Sequence, residues 1–217
     1  MENSLTKQKR DLKIAIVHDA LVVPAGSERV ALHISNLFSK APIFTSVYNG
    51  DNTFPEFRKR EIHTLPFSKL ARRERQFKSL YPLWLLELSF LDLSNFDLVI
   101  SSTNYLSKFI NIPKNIPHIC YMHNPIRFLW KPHAYSKDSV PMGNMGLTAI
   151  QHLLPILQRY DIRKTQKIDH IIANSKNIAR EIKQIYQRQA EVIYPPVDVN
   201  SFHISDNPGE YYLYTGR

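Results

Sequence analysis

The densest chemistry in the chain lies in residues 119–130, Ile-Cys-Tyr-Met-His-Asn-Pro-Ile-Arg-Phe-Leu-Trp. His123 is the group there that can gain or lose a proton near neutral pH. The apolar residues 119–122 before it read as a short buried strand. Asn124 and Pro125 end that strand, because proline has no N–H with which to extend a ladder. The carboxyl end of a buried strand is the rim on which open α/β sheets bind ligands. His123 is therefore a candidate to meet a substrate, with Asn124 and Arg127 just beyond it. Satisfaction of the imidazole by a loop carbonyl is the other reading. Ser102 and Thr103, with Asn104, close a second apolar run, 97–101, and are expected on the same rim. Their alternative role is to cap the following segment, 105–110.

A second constellation is Gly26-Ser27-Glu28, between the first expected strand and the first expected helix. Free backbone N–H groups and the positive end of a helix dipole can hold a phosphate there. A three-glycine dinucleotide fingerprint is missing, as is a phosphate loop ending in Gly-Lys-Ser/Thr. The histidines at 63, 118, 123, 133 and 152 lack zinc-ligand spacing. No Gly-x-Ser-x-Gly elbow is present. Asp19 stands where a phospho-acceptor carboxylate could stand, but chain length and the later strands speak against that role.

The elements that must position these groups follow an α/β pattern. Residues 12–18 read as a strand buried on both faces. Ser27 is the expected N-cap of a helix running to about 39, and 41–48 is a second strand. A strand–helix–strand unit of this kind builds a parallel sheet with right-handed crossovers. Residues 62–65 are a further short strand. The segment 67–81 reads as an amphipathic helix with a basic face, followed by a short apolar helix over 82–91. Residues 134–147 read as a mobile loop, and 148–167 as a helix kinked or restarted at Pro155. A strand at 169–173, a helix capped by Ser175 and a short strand at 190–194 follow.

The chain divides into a tail at 1–11, a Rossmann-like domain at 12–199, a linker at 200–210 and the opening of a second domain at 211–217. Its 217 residues are 43% hydrophobic, which suffices for a real core and excludes wholesale disorder. The net charge of +9 points to an anionic partner. The single cysteine, Cys120, reads as a small buried hydrophobe. No apolar run approaches the ~20 residues that span a bilayer. A cytoplasmic protein, peripheral on the inner face of the membrane, is expected.

Taken jointly, these segments resemble the N-terminal half of a retaining glycosyltransferase of the GT-B fold, family 4, in its mannosyltransferase-like branch. Residues 17–19 with 25–30 resemble the family's first strand and Gly-Gly-x-Glu loop, with Ala25 in place of the first glycine. Residues 121–130 resemble its His-x-Pro-x-Arg-Tyr-x-Trp segment. Tyr160-Asp161, and later Ala173-Asn174-Ser175, resemble a helix and strand of the family. Residues 192–198 resemble the crossing segment, and 212–217 the first strand of the donor domain. The resemblance implies an α/β, Rossmann-like acceptor-side domain. It implies donor contacts at Gly26, Ser27 and Arg217, with Arg217 on the diphosphate, and a catalytic contact to the transferred sugar at His123. Glu28, Ser102, Thr103, Asn124, Arg127 and Asn174 are expected to line the acceptor side or the cleft. The implied partners are a nucleotide sugar and a lipid-linked or saccharide acceptor, with no metal, no cofactor and no nucleic acid. Mannose is the sugar that the branch implies. The alternative is a non-catalytic half that binds acceptor or membrane and works with a separate donor-binding subunit.

Arg72, Arg73 and Arg75, on the basic face of 67–81, are expected to meet an anionic membrane surface. Binding to anionic vesicles should then weaken as salt rises, since exposed charges are screened beyond ~8–10 Å at physiological ionic strength. Replacing all three arginines by glutamate should abolish it in a sedimentation assay. Unchanged binding of that variant would remove this segment from the membrane contact.

Overall fold

The computed structural model of the chain describes residues 12–70, 81–131, 143–199 and 212. Seven parallel strands form one sheet in the order β3-β2-β1-β4-β5-β6-β7. They are β1 (Ile14–His18), β2 (Ile43–Thr45), β3 (Ile62–Thr64), β4 (Leu98–Thr103), β5 (His118–Met122), β6 (His170–Ala173) and β7 (Glu191–Val192). The helices are α1 (Gly26–Leu37), α2 (Tyr81–Ser89), α3 (Arg127–Trp130), α4 (Gly143–Thr165) and α5 (Lys176–Tyr186). Strand order runs one way from β1 to β3 and then resumes on the other side of β1. The boundary between β1 and β4 is thus the switch point at which doubly wound sheets open a crevice.

Side-chain alternation assigns the two faces. Ile16 and Ile43 pack with Ala31 and Leu32 of α1. Ala15, Val17 and Val99 point the other way and pack with Trp84 and Leu88 of α2. Cys120, Met122, Ile171 and Ala173 share that second face with Ile182 and Tyr186 of α5. Burial on both faces explains the near-continuous apolar runs of β1 and β5.

Several sequence expectations change. The helix α1 starts at Gly26 with Ala25 as N-cap, so Ser27 lies inside the first turn and does not cap it. Ala25 has an ordinary extended backbone, φ −106°, which any residue adopts, so the missing glycine costs this turn nothing. The second strand shrinks to three residues, because the chain after it bends back to β1 through Ser46 N–H to Asp19 O and Leu21 N–H to Val47 O. Residues 66–70 form a 3-10 turn, and 71–80, with Arg72, Arg73 and Arg75, lie outside the described residues. Part of the expected loop, 143–147, belongs to α4, which runs through Pro155 as one helix. The linker and the opening of a second domain, with Arg217, lie outside the described residues. Ser175 caps α5 as expected, accepting from Ile178 N–H.

Two buried polar clusters tie the elements together. In the first, Lys108 Nζ meets Asp161 Oδ1 at 2.5 Å, both groups being shut off from solvent. Trp130 Nε1 and Tyr186 OH donate to Asp161 Oδ2 at 2.7 and 2.8 Å. This joins α3, α4, α5 and the turn after β4. In the second, the Asp19 carboxylate accepts from the backbone N–H groups of Asn104, Tyr105, Leu106 and Ser107 at 2.6–2.9 Å. Ser107 Oγ donates to it as well. The segment after β4 is therefore capped by Asp19, not by Ser102, Thr103 or Asn104.

Asp19→Ala would leave four N–H groups without this acceptor in a buried turn. A cost of about 3 kcal/mol or more in unfolding free energy is expected, the scale for breaking a buried charged network. Urea unfolding at pH 7 measures it. A change below about 1 kcal/mol would show that the turn finds other partners.

Candidate functional site

The carboxyl ends of β1, β4, β5 and β6 bring together His18, Ser102, His123 and Asn174. Register and alternation place their side chains on one face: His18 pairs with Ser102, and Ser102 with Tyr121, two residues before His123. Asp19, the next residue after His18, points to the opposite face and holds the turn. One dipeptide thus supplies both the site's first wall and its anchor.

His123 sits among polar partners on three sides. Its Nε2 lies 2.9 Å from Ser102 Oγ. Its backbone N–H donates to Thr103 O at 3.0 Å. Its carbonyl accepts from Asn174 Nδ2 at 2.9 Å. Tyr121 packs beside the imidazole, with ring centroids 5.1 Å apart, and its hydroxyl donates to Ile193 O. His18 Nδ1 donates to Ser102 O at 3.0 Å. Only 8% of His123 is exposed, so the open-rim position expected from sequence is corrected: the residue is largely buried. Burial, with His18 close by, pushes its pKa down to about 3, against the attraction of the Asp19 carboxylate. It is a neutral imidazole at pH 7. His118, lower on β5, is likewise pushed down to about 4 by burial, against the pull of Asp169, and pairs with Ser101 Oγ at 2.7 Å.

The other expected site residues fall into three groups. Ser102 and Thr103 are fully buried within β4 and line no open cleft; their hydroxyls face His123 and Asp19. Asn124 Nδ2 donates to Asn104 O at 3.3 Å, and Asn174 holds the His123 carbonyl, so both brace the rim. Arg127, at the start of α3, is exposed, and its side chain has no hydrogen-bond partner among the described residues. At the head of α1, Glu28 is buried and accepts from Ser27 Oγ at 2.8 Å. The first turn of α1 has no side-chain cap, and a Cβ placed on Gly26 would meet nothing within 4 Å. A helix N-terminus facing open space at the switch point suits an anion. His18 was not singled out from the sequence. Its signal was its position, as the last residue of the first buried strand. Among the described residues, no three His, Cys, Asp or Glu side chains are arranged to hold a metal. No described helix is long and apolar enough to cross a membrane.

A doubly wound parallel sheet with its polar groups gathered at the switch point defines a Rossmann-like α/β domain. Solved structures share this architecture. Anabaena Alr3699/HepE in complex with UDP and glucose matches with a TM-score of 0.55 at 17% identity, over 89% of this chain and 47% of that one. The same protein in complex with UDP matches with a TM-score of 0.51 at 14% identity, over 90% and 47%. The chain thus spans about half the length of these structures. The Glycosyltransferase Family 4 sequence model matches residues 24–201, and the chain belongs to that family. No curated protein sequence matches it.

Both buried histidines make stability fall in acid. Their folded pKa values lie below the ~6.5 of an unfolded chain, so below that pH the unfolded state takes up protons that the folded state refuses. Their stabilising effect is complete above about pH 6.5 and is lost as pH falls towards 4. Each imidazole should contribute about 2 kcal/mol of loss between pH 6.5 and 5. Urea unfolding at pH 7 and 5 tests this. His118→Asn should lose less stability over that interval than the parent chain, and an equal loss would contradict it.

Proposed function

We propose that this chain is the acceptor-side half of a retaining glycosyltransferase that moves a sugar from a nucleoside diphosphate to a lipid-linked or saccharide acceptor. Mannose is the first sugar to test. The observation that carries the proposal is His123, held by β4 and β6 at the switch point of a family 4 domain. In this reading the uncapped first turn of α1, with open space before Gly26, faces the donor diphosphate. Arg217 supplies a charge-assisted contact to the same diphosphate. His123 meets the transferred sugar. Positioning and electrostatic support of the leaving diphosphate carry the rate, without a metal or cofactor. Anabaena Alr3699/HepE was crystallised with UDP and glucose, which places UDP-sugars beside GDP-mannose among the donors to try.

Docking on an anionic membrane belongs to the same proposal. Phe67 and Leu70 are exposed on the turn before the basic segment, and Leu86 and Phe90 are exposed on and just after α2. Phe67 N–H donates to Glu87 Oε1 at 2.8 Å, which ties the two apolar sites together. Apolar groups flanking a basic segment suit an acidic lipid surface.

Two halves that close around a donor are both needed for turnover. The 217-residue chain by itself should therefore transfer no sugar from any donor, as read by mass spectrometry of the acceptor. Joined to a donor-binding half it should do so, and His123→Ala should cut turnover by roughly 10²-fold or more. Since His123 is buried, the variant should also lose about 1–3 kcal/mol of stability, so specific activity is measured on the folded fraction. Undiminished turnover in that fraction would refute the role given to His123, and sustained transfer by the isolated chain would refute the two-half requirement.

A further inference from the structure

The hydrogen-bonding partners of Ser102 determine which nitrogen of His123 carries the proton. Ser102 is fully buried in β4, between β1 and β5. A hydroxyl there must donate its proton to something, because an orphaned buried donor is strongly disfavoured. Its Oγ has one hydrogen-bond partner among the described residues, His123 Nε2 at 2.9 Å. The Ser102 carbonyl is no alternative destination: a serine hydroxyl does not reach its own carbonyl in hydrogen-bond geometry, and that oxygen already accepts from His18 Nδ1 at 3.0 Å. The hydroxyl therefore donates to Nε2, and Nε2 must offer a lone pair. In a neutral imidazole the proton then sits on Nδ1. Nδ1 has no partner among the described residues, and the residue keeps a small exposed fraction. The backbone on both sides of the ring is fixed as well, by Thr103 O and by Asn174 Nδ2.

We infer that Ser102 is a positioning residue that locks His123 in the Nδ1–H form, so that His123 meets its ligand as an uncharged hydrogen-bond donor. The group in front of Nδ1 is then an acceptor, a sugar hydroxyl oxygen or a phosphate oxygen. The Nε2 lone pair is occupied and cannot serve as a general base. The pKa shift of His123 agrees, since the imidazole takes up no proton at neutral pH. The ligand assignment rests on the reading of His123 proposed above, whereas the tautomer does not.

Two-bond 1H–15N correlation spectra of the 217-residue chain with 15N-labelled histidine test the lock directly. The His123 signal is assigned by its loss in His123→Gln. At pH 7 it should show a protonated Nδ1 and an unprotonated Nε2, with about 10:1 preference or more, as an unsatisfied buried hydroxyl would demand of the other form. An unconstrained neutral histidine favours Nε2–H, so Ser102→Ala should move the pattern towards that form. Ser102→Thr, which keeps the hydroxyl, should preserve it. A protonated Nε2 in the parent chain overturns the inference without any variant, and an unchanged pattern in folded Ser102→Ala overturns the role of Ser102. The two-domain enzyme separates the questions. A confirmed Nδ1–H form with full activity in His123→Ala would leave the lock standing and would remove His123 from the reaction.

Discussion

A single carboxylate, that of Asp19, holds the carboxyl edge of the sheet in shape. At the switch point the chain leaves β1 towards one face and β4 towards the other, and the turn after β4 carries backbone donors that the sheet does not pair. Four of those donors converge on Asp19, which is buried. The ion is tolerable there because it is surrounded by N–H and O–H dipoles, which replace the water it lost. Fixing the turn after β4 fixes Ser102 and Thr103, and those two fix His123. The site thus depends on a buried carboxylate that is itself taken up by backbone donors.

The electrostatics of this edge follow a simple pattern. Asp19 is saturated with hydrogen-bond donors, and His123 stays neutral because burial and the neighbouring His18 oppose its protonation. The carboxylate of Glu28 accepts from Ser27 within α1. The first turn of α1, with its partial positive charge, faces open space. A neutral histidine and a weakly positive helix end on the same edge of the sheet can order an anionic ligand without carrying a buried cation. The chain's net charge of +9 acts at longer range, drawing anions towards the protein before any contact forms.

The buried ion pair of Lys108 and Asp161 plays the matching part behind the sheet. Two charges shut off from water attract strongly but have lost their hydration, so the pair is stable only with further hydrogen bonds. Trp130, Tyr186 and Thr165 provide them, and the Lys108 ammonium also lies over the Tyr186 ring. The cluster ties the end of the 119–130 stretch to α4 and α5, so the segment that follows His123 is held at both ends. Arg188 reinforces that side by donating to the carbonyls of Thr165, Gln166, Ile168 and Asp169.

What the sequence determined was local. Apolar runs marked β1 as a strand buried on both faces and β4 and β5 as short strands, Ser175 marked the start of α5, and Pro125 marked the end of β5 beside His123. Those signals lie in side chains within a few residues of one another, where alternation, capping and ring closure act. The cap of the turn after β4 left no such mark. Asp19 binds backbone N–H groups 85 to 88 residues further along, and every residue but proline carries that donor, so no residue type announces the contact. The length of β2, the run of α4 through Pro155, and the burial of His123 also depend on neighbours distant in sequence. Strand order decided which polar ends met at the switch point. The side-chain period of two then sent His18 towards the site and Asp19 away from it. Composition and spacing identified the histidine, and only the assembled sheet decided that it would be neutral, buried and held by a serine.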